Sequence, residues 1–217
     1  MLKTIFDAPK ERPFDILCLG AHSDDIEIGC GGTILRLIGE FPRLRIFWVV
    51  FSAQGPRAEE ARKSADLFLA GAAEKQIFTR DFRDGYFPYN GAGIKDFFEE
   101  LKSQVSPDLV FTHYRNDRHQ DHRLIEELTW NTFRDHLILE YEIPKFDGDL
   151  GRPNFYVCLD EAIAARKTRY LREIFASQRE KHWFDDDVFE GLMRVRGMES
   201  RSPGRFAEGY YAYKIAH

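Results

Sequence analysis

The stretch "LGAHSDDIEIGCGGT", residues 19–33, decides how this chain is read. It follows "FDILCLG" (14–20), an apolar run that reads as a strand buried on both faces. On leaving that strand the chain places His22, Asp24 and Asp25 together, then concentrates Gly29, Gly31 and Gly32. A histidine and two carboxylates at the mouth of a core strand are costly there unless they have work to do.

Working outward, the first half alternates two patterns. Compact apolar runs at 14–21, 44–52, 75–80 and 108–113 read as strands. Between and after them, 31–40, 57–73, 93–106 and 120–137 carry helical spacing, the last starting at Asp117 or Gln120. This order predicts a Rossmann-like α/β fold, with a parallel or mostly parallel sheet and helices on both faces. The second half is less regular. It reads as strands at 138–143, 155–159 and 207–216, helices at 160–178 (capped by Asp160) and 185–198, and a loop at 144–154 that suits a lid and an ordinary crossover equally. The expectation is a single domain over 1–217, with a core at 14–140 and an irregular C-terminal elaboration at 141–217.

Composition narrows the function classes. The 217 residues carry a net charge of −5, which offers no nucleic-acid footprint. Cys18, Cys30 and Cys158 are odd in number and lack CxxC spacing, as expected of a reducing compartment. No run suits a signal peptide or an integral membrane segment, so a cytoplasmic location is expected. Peripheral membrane contact and a homo-oligomer are left open. The basic run at 165–182 reads as a solvated helix face. His136, His182 and His217 read as solvated or structural.

Chemistry concentrates in two stretches, "AHSDD" (21–25) and "HYRNDRHQDH" (113–122), past the carboxyl ends of the first and fourth strands. With strand order 3-2-1-4 these strands are neighbours, flanking the point where the winding reverses and ligands bind. His22 and Asp25 from one turn, with His122 from the other segment, make a three-ligand set for zinc or another divalent transition metal, with one position open. Asp24 is then the natural general base. His119 faces the same cavity as an electrophile, and Asp121 holds its imidazole. His113 either supports the site or ends its strand. "GCGGT" is not the G-x-G-x-x-G dinucleotide signature; its glycines are read as close-approach positions that leave room near the metal.

"AHSDDIEIGCGGT" followed by "HQDH" resembles the PIG-L/LmbE-like family of metal-dependent N-acetyl-sugar deacetylases, over about Ile16 to His136 and more loosely at "AEGY" (207–210). The resemblance implies His22, Asp25 and His122 as metal ligands, Asp24 as base, and His119 backed by Asp121. It also implies Arg57 and Asp84 as substrate contacts. Ser23 stands where the family has proline, and Tyr114 competes with His119 as proton donor to the leaving amine. The function implied is zinc-dependent hydrolysis of an N-acetyl group on an N-acetylglucosamine-type sugar or conjugate, a small-molecule partner. Two other readings are a zinc-dependent hydratase acting on an unsaturated carboxylic acid, with Arg57, Arg115 and Arg118 at its mouth, and a metal-free nucleotide-binding module.

Overall fold

The strand Phe14–His22 (β1) is buried along its whole length, as its unbroken apolar run demands. Its side chains alternate, Ile16 and Cys18 into one core and Leu17 and Leu19 into the other. The computed structural model describes residue 6 and residues 8–215. After β1 come α1 (Asp25–Glu40), β2 (Leu44–Ser52), α2 (Pro56–Phe68), β3 (Glu74–Thr79), α3 (Gly91–Gln104), β4 (Leu109–His113), α4 (Gln120–Thr132), β5 (Leu137–Tyr141), β6 (Phe155–Leu159), α5 (Glu161–Ile174), α6 (Asp186–Glu199) and β7 (Phe206–Tyr211).

Among the described residues these strands form one seven-stranded sheet, in the order β3-β2-β1-β4-β5-β7-β6. β3 through β5 are mutually parallel; β7 runs antiparallel to both β5 and β6. The C-terminal strands therefore extend the same sheet. Helices α1, α2, α5 and α6 cover one face around Trp48, Phe68, Tyr141 and Phe175. Helices α3 and α4 cover the other around Phe51, Phe98, Ile125 and Phe133. β1 lies between β2 and β4, so the winding reverses beside it as expected. Among the described residues no helix is long and apolar enough to cross a membrane.

Several elements differ from the sequence expectation. α1 starts at Asp25 rather than 31, so all three glycines lie inside a helix. Glycine in a helix interior costs about 1 kcal/mol relative to alanine, which is why the segment reads as a loop. The glycines are there for contact. A Cβ on Gly29 would lie 2.5 Å from Cγ of Tyr141, and one on Gly32 would meet Leu159 and Glu208. The room they make is thus filled by Tyr141, Leu159 and Glu208, not kept beside a metal. α2 and α4 stop short of the expected 73 and 137, and β7 stops short of 216. The basic run is also not wholly solvated. Lys167 is buried, its Nζ donating to Glu208 Oε1 and to the Ile28 carbonyl, both at 2.6 Å. The remaining Glu208 oxygen accepts from the Thr33 amide. The expected cap is present, Asp160 accepting from the Ile163 amide at 2.7 Å. All three cysteines are free. His217 lies outside the described residues.

The loop at 144–154 is pinned at its base. Arg196 of α6 donates to both oxygens of Glu142, at 2.8 and 2.7 Å, and to the Gly151 carbonyl. Glu142 in turn accepts from the Gly151 amide. Phe146 near the tip is exposed, its ring 6.5 Å from that of His182. The loop is thus held near both ends, by Glu142 on one side and Gly151 on the other.

Candidate metal centre and catalytic cleft

The sheet brings the two chemical stretches together. His22 closes β1, Asp25 opens α1, and His122 sits in the first turn of α4. His22 Nδ1 lies 3.2 Å from His122 Nε2 and 3.4 Å from Asp25 Oδ2; His122 Nε2 lies 3.6 Å from Asp25 Oδ1. All three residues are buried. Tetrahedral ligands about 2.0–2.1 Å from one ion stand roughly 3.4 Å apart, and these separations are close to that, with His22 meeting one Asp25 oxygen and His122 the other. For Asp25 and His122 the charges fit as well. Although burial opposes it, His122, His113 and His22 hold the Asp25 carboxyl well below its usual range. Burial and His113 hold His122 down to about 4, against Asp25 and Asp117, leaving it the neutral donor a metal requires.

Among the described residues, three sets cluster closely enough to hold an ion: His22, His119 and His122; His22, Asp84, His119 and Asp121; and Asp25, His113 and His122. His113 Nε2, however, accepts the Ala21 amide at 3.0 Å, and its ring stacks on His122 at 3.9 Å. A lone pair engaged by a backbone N–H is not free to ligate, so His113 serves as packing beneath the triangle.

Each of these two histidines, His122 and His22, leans on a carboxylate. His122 Nδ1 is 2.9 Å from Asp117 Oδ2, and His22 Nε2 is 3.2 Å from Asp121 Oδ2. This corrects the expected partner of Asp121: its side chain backs His22, not His119. It also accepts the Gly85 and Phe87 amides at 2.6 and 3.0 Å, and so fixes the segment after β3 against the site. Asp117 was not read from the sequence as a partner of His122. The one available signal was its position five residues before His122, in the acidic turn of "NDRHQDH". His22 itself is pulled down by burial, but Asp25, Asp121 and Asp84 together lift it well above the usual imidazole range.

Asp24 is buried at the first turn of α1, and its Oδ1 accepts from Arg57 at 2.8 Å. Burial pushes its pKa up, Arg57 opposes, and Asp25 adds to the rise. Arg57 reaches on to Asp84 at 3.4 Å. Asp84 is exposed and lies 3.1 Å from His22 Nε2; that contact, against partial burial, brings it to about 2. His119 caps α4, its Nδ1 accepting the Asp121 amide at 3.3 Å, so a neutral ring carries its proton on Nε2. Burial, reinforced by His22, lowers its pKa. Its ring stands 4.9 Å from that of His22 and 4.6 Å from that of His122. Tyr114 packs elsewhere: it stacks on Tyr211 at 3.8 Å, and its hydroxyl accepts from Asn116. Ser23, in the place of the expected proline, is fully buried and its hydroxyl donates to the Ser52 carbonyl at 3.3 Å. The turn is thereby tied to β2 by a hydrogen bond that proline has no group to make.

Comparisons with known proteins point to one family. The PIG-L family profile, described as GlcNAc-PI de-N-acetylase, matches residues 17–133. An uncharacterised deacetylase of Escherichia coli strain K12, YaiS, is 30% identical over 141 residues, covering 59% of this chain and 74% of that protein. Among solved structures, the N,N'-diacetylchitobiose deacetylase of Pyrococcus horikoshii superposes with a TM-score of 0.68 at 21% identity, over 96% of this chain and 87% of that one. The 4-carboxy-2-hydroxymuconate hydratase GalB of Pseudomonas putida KT2440 superposes with 0.67 at 16% identity, over 94% and 98%. At these identities the structural likenesses speak for the fold alone.

Proposed function

The chain belongs to the PIG-L family of deacetylases, and from that premise we propose that it is a zinc-dependent amidohydrolase removing the N-acetyl group from an N-acetylglucosamine-type sugar or sugar conjugate. The observation that carries the proposal is the buried His22–Asp25–His122 triangle with a second carboxylate, Asp24, beside it. Zinc held there, or another divalent transition ion, would supply Lewis acidity and an activated water.

The chain's own groups do the rest. Asp24, desolvated and held by Arg57, takes a proton from the attacking water as the new C–O bond forms. His119 presents its Nε2 proton to the oxygen that gains charge in the tetrahedral state. The C–N bond breaks as Asp24 returns the proton to the amine nitrogen, and acetate leaves. His119 is preferred over Tyr114 for this role because its ring stands against those of His22 and His122, whereas the Tyr114 ring stacks on Tyr211. Arg57 and Asp84, at the exposed edge, are assigned to substrate hydroxyl and carbonyl contacts.

The hydratase reading loses one of the three arginines it needed: Arg115 is committed to Glu140 at 2.8 Å with its guanidinium over Tyr213. The nucleotide-binding reading loses its glycine cradle, since Gly29 and Gly32 face Tyr141, Leu159 and Glu208.

Acetate release from N-acetylglucosamine conjugates tests the proposal alongside metal analysis. Asp24→Asn is expected to keep the ion and lose about 10²–10⁴ in turnover. Asp25→Ala is expected to lose both. A metal-replete wild type that releases no acetate from any N-acetylated sugar overturns it.

A further inference from the structure

We infer that Lys145, in the 144–154 loop, is a positioning residue for His122, acting through Asp117; the inference rests on the metal reading above. Lys145 Nζ donates to Asp117 Oδ2 at 2.9 Å and to Asp149 Oδ2 at 2.6 Å, and lies 3.5 Å from the Ile143 carbonyl. The same Asp117 oxygen takes the His122 Nδ1 proton at 2.9 Å, while Asp117 Oδ1 accepts the His119 amide at 2.8 Å. Asp149 Oδ2 also accepts the Arg118 amide at 2.7 Å. All three charged side chains are largely out of solvent, Lys145 at 9%, Asp117 at 3% and Asp149 at 5% exposure.

One imidazole and one amide hold the two oxygens of Asp117, one each. The ammonium adds a further point of attachment on the oxygen that holds the ligand histidine. It also stands between two buried carboxylates that would otherwise repel each other across a poorly solvated gap. Without it the Asp117 carboxylate is pushed off its place, and the His122 ring loses the partner that aims its Nε2. Orienting groups behind ligand histidines are worth about 10–100-fold in metal affinity. Lys145 acts one step further out, and removing it is expected to weaken retention at the low end of that range, about tenfold.

The test uses the full chain, stripped with chelator and titrated with zinc against a chromophoric competitor. Lys145→Met is expected to weaken zinc retention about tenfold. Asp149→Asn, which loosens the loop but leaves Lys145 on Asp117, is expected to stay within about twofold of wild type. Cobalt(II) in place of zinc gives a second readout: its visible absorption shifts in Lys145→Met and not in Asp149→Asn. Should Lys145→Met fail to fold, Lys145→Gln, which keeps a donor and drops the charge, takes its place with the same expectation. Equal retention in wild type and the lysine variant overturns the inference, as does equal weakening in Asp149→Asn, which would assign the effect to the loop. A wild type that takes up no zinc overturns the metal reading itself, which separates the two failures.

Discussion

Gly29→Ala puts the contact between α1 and Tyr141 to a quantitative test. The added Cβ would sit 2.5 Å from Cγ and 2.8 Å from Cε2 of the Tyr141 ring. Carbon atoms in contact stand about 3.5–4.0 Å apart, so ring or helix must move by at least about 1 Å. The ring has nowhere free to go. It is fully buried, and its hydroxyl donates to the Leu19 carbonyl at 2.6 Å and lies 3.3 Å from His113 Nε2. Overpacking of this kind costs about 1–3 kcal/mol. Pulling the hydroxyl off Leu19 adds about 1–3 kcal/mol for the carbonyl left alone. Against these stands a gain of about 1 kcal/mol, because alanine favours the helix. The balance is a loss of roughly 3 kcal/mol, a fall of about 6–12 °C in Tm for a chain of this length. Urea unfolding should show a lower midpoint at unchanged slope. The double variant Gly29→Ala/Tyr141→Leu should be less destabilised than the sum of its parts, since the smaller side chain relieves the overlap. Gly29→Ala at wild-type stability or above would refute the close-approach argument and leave helix propensity as the governing effect.

Two further expectations concern buried carboxylates. Burial and Glu140 push Glu126 up to about 8 against the pull of Arg115, so the native state holds a proton that the unfolded chain releases near 4.5. Its contribution to stability is full below about 4.5 and is lost as pH rises through about 8; Glu126→Gln should flatten that part of the stability–pH curve, and an unchanged slope would count against the assignment. Asp121→Ala strands the Gly85 and Phe87 amides and frees the His22 ring. Denaturation should show a loss of about 2–4 kcal/mol, and chelator competition a 10–100-fold weaker hold on zinc.

The sequence was most informative where one physical demand acts alone. β2 and β6 span the expected residues, 44–52 and 155–159, because a buried strand is announced by an unbroken apolar run. The two stretches of histidine and aspartate were legible for the opposite reason: such residues are expensive at the ends of core strands, so their presence there is a signal. What was hidden is pairwise. The start of α1 was obscured because Gly29 and Gly32 answer to Tyr141 and Glu208, which lie more than a hundred positions away. Asp121 was matched with the nearby His119, whereas the fold turns its carboxylate to His22. Lys167 looks like any other base in "ARKTRYLRE" until Glu208 of β7 arrives beside it.

The placement of His22 and His122 on neighbouring segments of the sheet also sets a timetable. They stand 100 positions apart in the chain. At a synthesis rate of about 5–20 residues per second, His22 and Asp25 wait roughly 5–20 s for their partner to be made. In that interval β1 has only β2 to pair with, because β4 and α4 do not yet exist. On the proposed ligand set, a growing chain would therefore carry one histidine and one carboxylate without the second histidine. Loading would wait until β4 has docked on the far side of β1, so a bound ion would mark that docking rather than help to bring it about.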